Sequence, residues 1–332
     1  MTETARAVAT RPAPWRFAAP WGAQGYLSDL DGPGTPAVHW IEFGTSPAGQ
    51  APIVYVHGLG GSHLNWGLVG TPLAQGRRAV ALDLHGFGLT PGTRASSSVR
   101  ANQQLLDRFI RDVVGEPAIL VGNSMGGLIS ILQAATVPSS VRALVLLDPA
   151  LPLPPQKPDV VVTAQFLGYM LPGLGEAYLS RVLARRTPDV AVQQVIELCF
   201  AEPERADPEM VKASVALAAH RLGERQGDRR VGRASDQAFL SAARSLLRMV
   251  GLRRRYWDMM ASIKVPVLLI GGDADRLVPV AAVRQAGTRL PRWDTVVLAG
   301  VGHTPMLEVP EQTIGLIRDW LAENLAGACG NG

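Results

Sequence analysis

Ser124 stands at the centre of Gly122-Asn123-Ser124-Met125-Gly126, between the apolar run Ile119-Leu120-Val121 and a helix-forming run from Leu128 to Ala135. A serine at a sharp strand-to-helix turn sits in a strained backbone, and the flanking glycines are needed where a larger side chain would collide with the bend. The turn exposes the hydroxyl above the sheet edge and aims the first helical amides at any oxyanion that forms there. Such a serine needs a base to take its proton and an acid to orient the base, following in the chain order serine, acid, histidine. Gly271-Gly272-Asp273-Ala274-Asp275-Arg276-Leu277-Val278-Pro279 follows an apolar stretch at 265–270, and Gly300-Val301-Gly302-His303-Thr304-Pro305 follows another at 296–298. Together these residues could carry out acyl transfer through a covalent acyl-enzyme.

Residues this far apart must be brought together by a scaffold. Strands are predicted near 38–43, 52–56, 79–83, 117–121, 142–147, 265–270 and 294–298. Amphipathic helices alternate with them from 53 to 147, the pattern of a parallel sheet covered on both faces, so the fold class is α/β. After Asp148, Pro149, Pro152, Pro154, Pro155 and Pro158 form a stiff linker. Residues 151–260 read as helical. Val211, Val215, Ala218 and Leu222 form one apolar stripe, and Phe239, Leu240, Ala243, Leu246, Leu247 and Val250 another. The expected division is therefore a discontinuous core, 1–150 with 261–332, and an inserted helical segment at 151–260.

In these features the chain resembles the α/β-hydrolase superfamily from about Trp40 to Leu325. Four signatures occur in family order: His57-Gly58-Leu59-Gly60-Gly61, Asp83-Leu84-His85-Gly86-Phe87-Gly88, the serine elbow, and the late acid and histidine loops. The resemblance implies a mostly parallel sheet with a helical cap over the active site, and it assigns the catalytic roles. Ser124 is the nucleophile, His303 the base and Asp275 the orienting acid, with the backbone amides of Leu59 and Met125 forming the oxyanion hole. His39, His57, His63 and His85 precede the serine, whereas the family places its base last. His220 lies off the apolar stripe and reads as a solvated surface residue. Asp275 lies at the family spacing from Pro279, Asp273 reads as a turn residue, and Asp148 is the alternative acid. His57 is expected to brace the loop, and Asp83 with His85-Gly86 to form a structural turn rather than a metal site. No stretch has metal-ligand spacing, a phosphate loop or a dinucleotide fingerprint, so no cofactor and no metal are implied.

Serine at the elbow disfavours the superfamily branches that use aspartate there, the haloalkane dehalogenases and epoxide hydrolases. The Gly-Asn-Ser-Met-Gly-Gly elbow resembles that of the meta-cleavage-product hydrolases, but Leu59-Gly60-Gly61 and Thr304 depart from their pattern. The leading reading is a serine hydrolase of carboxylic esters. The alternatives are carbon–carbon bond hydrolysis, cofactor-free perhydrolysis or acyl transfer, and a ligand receptor without turnover.

The composition agrees with this class. With 332 residues, 47% hydrophobic, the chain can bury a large core. It has no apolar run of about 18 residues, so no membrane span is expected. A net charge of +4 reflects arginine-rich composition, and Arg253-Arg254-Arg255 lacks interleaved stacking aromatics, so nucleic acid is not an expected partner. Met1 to Trp21 reads as a mobile lead-in without a secretory signal's apolar centre. Cys199 and Cys329 read as unpaired thiols of a reducing, cytoplasmic setting. Phe166, Leu167, Tyr169, Met170, Leu171 and Leu174, with Trp257, Met259 and Met260, are expected to pack the cap on the core or line it. That lining suggests a small, uncharged, apolar ester as substrate. A homo-oligomer remains open.

Overall fold

The computed structural model describes residues 8–32, 34–44, 50–152, 154, 168, 169, 171, 173, 175–177, 179 and 186–325. Among these, nine strands form one sheet in the order β1-β2-β3-β5-β4-β6-β7-β8-β9. They are β1 (Thr10–Pro12), β2 (Gln24–Ser28), β3 (Val38–Gly44), β4 (Ile53–Val56), β5 (Ala79–Leu82), β6 (Ala118–Asn123), β7 (Val141–Leu147), β8 (Val267–Gly272) and β9 (Asp294–Leu298). The first three strands and the β3–β5 pair are antiparallel, and every later pairing is parallel.

The parallel strands are short and apolar because both faces are covered, and alternate residues serve opposite cores. Val54, Val56, Leu120, Leu144 and Leu269 face one apolar cluster; Ile53, Tyr55, Ile119, Val145 and Ile270 face the other. On the first side pack α2 (Val99–Phe109) and α3 (Met125–Thr136), through Leu105, Leu106, Phe109 and Leu128. On the second lie α1 (Gly67–Leu73) and the C-terminal helix.

Between β7 and β8 the chain leaves the sheet and forms α4 (Pro188–Cys199), α5 (Pro208–Gly227), α6 (Arg229–Gly251) and α7 (Arg253–Ala261). Proline at the first helical position of α5 fits its fixed φ, and Asp207 caps that helix by accepting from the Met210 amide at 2.8 Å. Asp228 caps α6 in the same way. The remaining helices are α8 (Val280–Arg289), α9 (Pro305–Glu308) and α10 (Pro310–Leu325). No helix among the described residues is long and apolar enough to cross a membrane.

Three expectations need correction. The N-terminal lead-in is structured from Thr10: β1 joins the sheet edge, and Thr71 Oγ1 donates to the Trp21 carbonyl at 2.5 Å. On α5 the buried residues are Met210, Ala213 and Leu217, so the stripe is rotated from the one built on Val211 and Val215. His220 is half-buried, its ring 5.6 Å from Trp15 and 5.9 Å from Phe17, rather than solvated. The sequence pattern hid that aromatic partnership because its partners lie some two hundred residues earlier.

Tyr256, Trp257 and Met260 belong to the apolar cluster of the sheet, while Tyr169 is buried with Leu179, Leu240 and Ala243. Leu171 is exposed. Phe166, Leu167, Met170, Leu174 and Cys329 lie outside the described residues.

Candidate active site

Parallel strands deliver their following loops to one edge of the sheet, where open α/β sheets bind ligands. The order β4-β6-β7-β8-β9 therefore lines up His57-Gly58, Ser124, Asp148, Asp275 and His303 along that edge. Ser124 has φ 53 and ψ −117, a left-handed backbone that a non-glycine residue rarely holds. Its two glycines are explained by contact: a Cβ at Gly122 would lie 2.7 Å from the Gly126 carbonyl oxygen, and one at Gly126 would overlap the Val56 and His57 carbonyls. The Ser124 amide donates to the Leu147 carbonyl at 3.2 Å, and its own carbonyl accepts from Ala150 at 3.0 Å.

His303 and Asp275 meet although 28 residues separate them. His303 Nδ1 lies 2.7 Å from Asp275 Oδ2, and both side chains are buried. Asp275 Oδ1 accepts from the amides of Leu277 at 2.7 Å and Val278 at 3.1 Å, which fixes the carboxylate plane. Asp273 is exposed and accepts from the Gly300 amide at 2.7 Å, joining the acid loop to the histidine loop. Asp148 is in a left-handed backbone, φ 42, and its Oδ1 accepts from Gly272 at 3.0 Å. Burial, and then the Asp275 charge, push the Asp148 carboxyl well above the usual carboxylate range. Its Oδ2 is enclosed with no donor to satisfy it. A protonated carboxyl there can donate rather than accept, and the Asp275 charge beside it favours that form.

His57 is fully buried, and burial pushes it down to about 4, so it is neutral at pH 7. The Leu84 amide donates to its Nε2 at 3.1 Å, which leaves Nδ1 as the N–H donor to the Gly58 carbonyl at 2.8 Å. The Leu59 amide has no acceptor among the described residues, and Met125 opens α3, where the first amides have no intrahelical partner.

Asp83 gathers two histidines that sequence spacing did not connect. His39 Nδ1 and His63 Nδ1 lie 2.8 and 2.9 Å from Asp83 Oδ2, which also accepts from the Leu89 amide, while Oδ1 accepts from the His63 amide. The three side chains have metal-ligating atoms within 4.8 Å of one another, but the separations are hydrogen-bond lengths and the carboxylate is saturated by donors. Burial alone would raise Asp83, yet its histidine partners hold it well below the usual carboxylate range.

A cavity of about 870 Å³ opens above this edge, and Ser124, His303 and Leu59 all line it. Met210, Leu217, Leu222, Phe239, Leu246 and Val250 from the inserted helices supply apolar walls. Arg186, Arg221, Arg225, Arg276 and Asp236 line it too, so the lining is not apolar throughout as expected.

The model of the "Alpha/beta hydrolase family" matches residues 53–316. The chain belongs to that family. It is 28% identical over 278 residues to the pimeloyl-[acyl-carrier protein] methyl ester esterase of Aeromonas hydrophila, covering 82% of this chain and 96% of that one. It is 27% identical over 309 residues to the dihydrolipoyllysine-residue acetyltransferase component of the acetoin cleaving system of Pseudomonas putida, covering 90% and 72%. The fold matches a thermophilic esterase from Thermogutta terrifontis with a TM-score of 0.65 at 20% identity, over 86% of this chain and 94% of that one. The protein is an α/β-fold hydrolase.

Two features of this hydrolase's site were not foreseen from its sequence. Asn123 Nδ2 donates to the carbonyls of Leu147 at 2.9 Å and His303 at 3.0 Å, tying the serine elbow to the histidine loop. Glu308 Oε1 accepts from the amides of Ala201 and Glu202 at 3.0 Å each, and its Oε2 from Gly302 at 2.7 Å. The His303 amide donates to the Cys199 carbonyl at 2.6 Å. The histidine loop is thus clasped by the end of α4, where burial pushes the Cys199 thiol up to about 12, so it is an inert structural group.

Proposed function

We propose that this hydrolase cleaves carboxylic esters with an apolar acyl chain by means of a Ser124, His303 and Asp275 triad. The observation that carries the reading is the His303–Asp275 pair at 2.7 Å beside a strained, cavity-lining Ser124. Ser124 Oγ attacks the carbonyl carbon while His303 Nε2 takes its proton. Asp275 holds Nδ1–H and so selects the tautomer whose Nε2 is free to act as base. The amides of Leu59 and Met125 receive the oxyanion, and losing one such donor costs on the order of 3 kcal/mol in the transition state. Collapse expels the alkoxide, which His303 protonates, and water activated by the same histidine releases the acid. The inserted helices act as the cap whose apolar walls hold the acyl chain. Relatives named as esterases support the ester class.

Labelling with a fluorophosphonate, combined with turnover of p-nitrophenyl esters of graded chain length beside a dienoate, tests the reading. Labelled Ser124 with ester turnover is expected. Dienoate cleavage without ester turnover would move the assignment to carbon–carbon hydrolysis, and an unlabelled Ser124 would leave a receptor. Product analysis with added alcohol or peroxide separates hydrolysis from acyl transfer, a comparison motivated by the acetyltransferase relative.

A further inference from the structure

Arg221 has no counter-ion among the described residues. It extends from α5 into the cavity, where its Nη2 donates to the Gly86 carbonyl at 2.9 Å. No carboxylate among the described residues lies within ion-pair distance of it. Arg225, one turn on, is neutralised by Asp236 at 2.7 Å. Of the two acids whose charge reaches Arg221, Asp83 acts more strongly than Glu224, and its oxygens are already occupied by His39, His63 and Leu89. Burial disfavours the charge on Arg221, yet a guanidinium stays protonated at neutral pH and presents five N–H donors. The Gly86 carbonyl is the one hydrogen-bond acceptor it meets among the described residues, which leaves further N–H donors for a ligand in the cavity it lines. Arg221 is half-buried; a cation partly withdrawn from water is costly unless something pairs with it, and an anion bound from solution can supply that pairing.

The same face of α5 grades from apolar to cationic. Met210, Leu217 and Ala218 line the cavity ahead of Arg221 and Arg225, with Leu222 between the two arginines. An occupant that matches this wall has an apolar body and a negative group.

We infer that Arg221 is a specificity-determining residue that receives an anionic oxygen group, a carboxylate or a phosphate, carried by the ester substrate beyond its apolar portion. The inference rests on the ester-hydrolase reading and narrows its substrate class. Arg221 takes no part in bond making or breaking; its guanidinium fork orients the substrate and favours charged esters over neutral ones of equal length.

The test compares matched methyl esters of equal chain length ending in a methyl group, a carboxylate or a phosphate monoester, with wild type, Arg221→Gln and Arg221→Lys. Wild type should favour at least one anionic ester over the neutral one by roughly tenfold or more in kcat/KM. The Gln variant should bring that ratio near one, and the Lys variant, which keeps charge but loses the fork, should fall between them. Which anion wins identifies the source of the charge. A wild type that handles all three alike, or a Gln variant that keeps the preference, overturns the inference. Thermal shifts of wild type with octanoate, octyl phosphate and octanol form an arm independent of turnover. If no ester is cleaved and Ser124 is unlabelled, the hydrolase reading fails; the shifts then decide this inference, which falls if neither anion stabilises the protein more than the alcohol. Should Arg221→Gln not fold, the wild-type ratios and shifts still decide.

Discussion

On the proposed mechanism Ser124 and His303 handle one proton between them, so each is of little use without the other. Ser124→Ala should abolish turnover with the fold intact, and adding His303→Ala should cost little more. Strongly additive losses in kcat would show that the two do not act as a unit. The two acids separate more sharply. Asp275→Asn should lower kcat by about 10⁴-fold, since an amide stabilises the wrong histidine tautomer. Asp148→Asn should cost far less, because a neutral amide resembles the un-ionised carboxyl that burial and the Asp275 charge already favour; if it is the worse variant, the roles are reversed. Asp148 also makes a stability prediction with a definite sign. Its pKa is raised on folding, so its contribution is fully present below the unfolded value of about 4 and declines as pH rises from there toward the folded value. Asp148→Asn should match wild type in Tm near pH 4 and gain on it as pH increases; a gap that is constant with pH would refute the raised carboxyl. Ser124, Asp275 and His303 are legible as candidates in sequence because the chemistry dictates their residue types and the family resemblance their order. Asn123 and Arg221 are not, since their partners lie 24, 180 and 135 residues away and neither residue type announces its contact.

At the scale of elements, the histidine loop is not held by the core alone. Glu308 collects three amides, two of them from the turn that leaves α4, and Arg205 approaches it at 3.3 Å. Glu308→Gln offers an N–H where an acceptor is needed, leaving at least one buried donor unsatisfied at a cost of about 1 to 3 kcal/mol. It should lower both Tm and kcat while changing KM less, because it loosens His303 rather than the cavity walls. Unchanged kcat with a lower Tm would make the clasp purely structural. The parallel strands were readable because full burial on both faces demands uninterrupted apolar runs, and their ends agree with the pattern to within two residues. The edge strands β1 and β2 were not: Thr10–Pro12 is exposed along its length, so no hydrophobic periodicity marks it. The α5 stripe was misplaced for a related reason. One side of that helix faces a cavity rather than a packed core, so its cavity-facing positions tolerate Ser214 and Arg221 among the apolar residues.

For the whole molecule, the inserted helices and the sheet are joined by a common interior. Ala242, Leu246, Tyr256 and Trp257 belong to the same apolar cluster as Leu128 and Leu146, and the Tyr256 hydroxyl donates to the Ala150 carbonyl at 2.7 Å. Excising 154–258 would strip these residues from the core and leave Glu308 without the Ala201 and Glu202 amides. Near- and far-UV circular dichroism should therefore show one coincident thermal transition for the intact chain; a separate early melt of the helices would mean that they fold independently. Selectivity is better probed by reshaping the cavity than by deletion. Leu217 is 6% exposed and points from α5 into the shared wall. Leu217→Trp adds bulk there, one turn from Arg221 on the same helix face, while Ser124 and His303 themselves are unaltered. It should reduce kcat/KM for long-chain p-nitrophenyl esters by roughly tenfold or more relative to the acetate, with fluorophosphonate labelling retained. An equal loss at every chain length would place the acyl chain against the sheet side of the cavity, and the inserted helices would then cover the site without measuring its substrate.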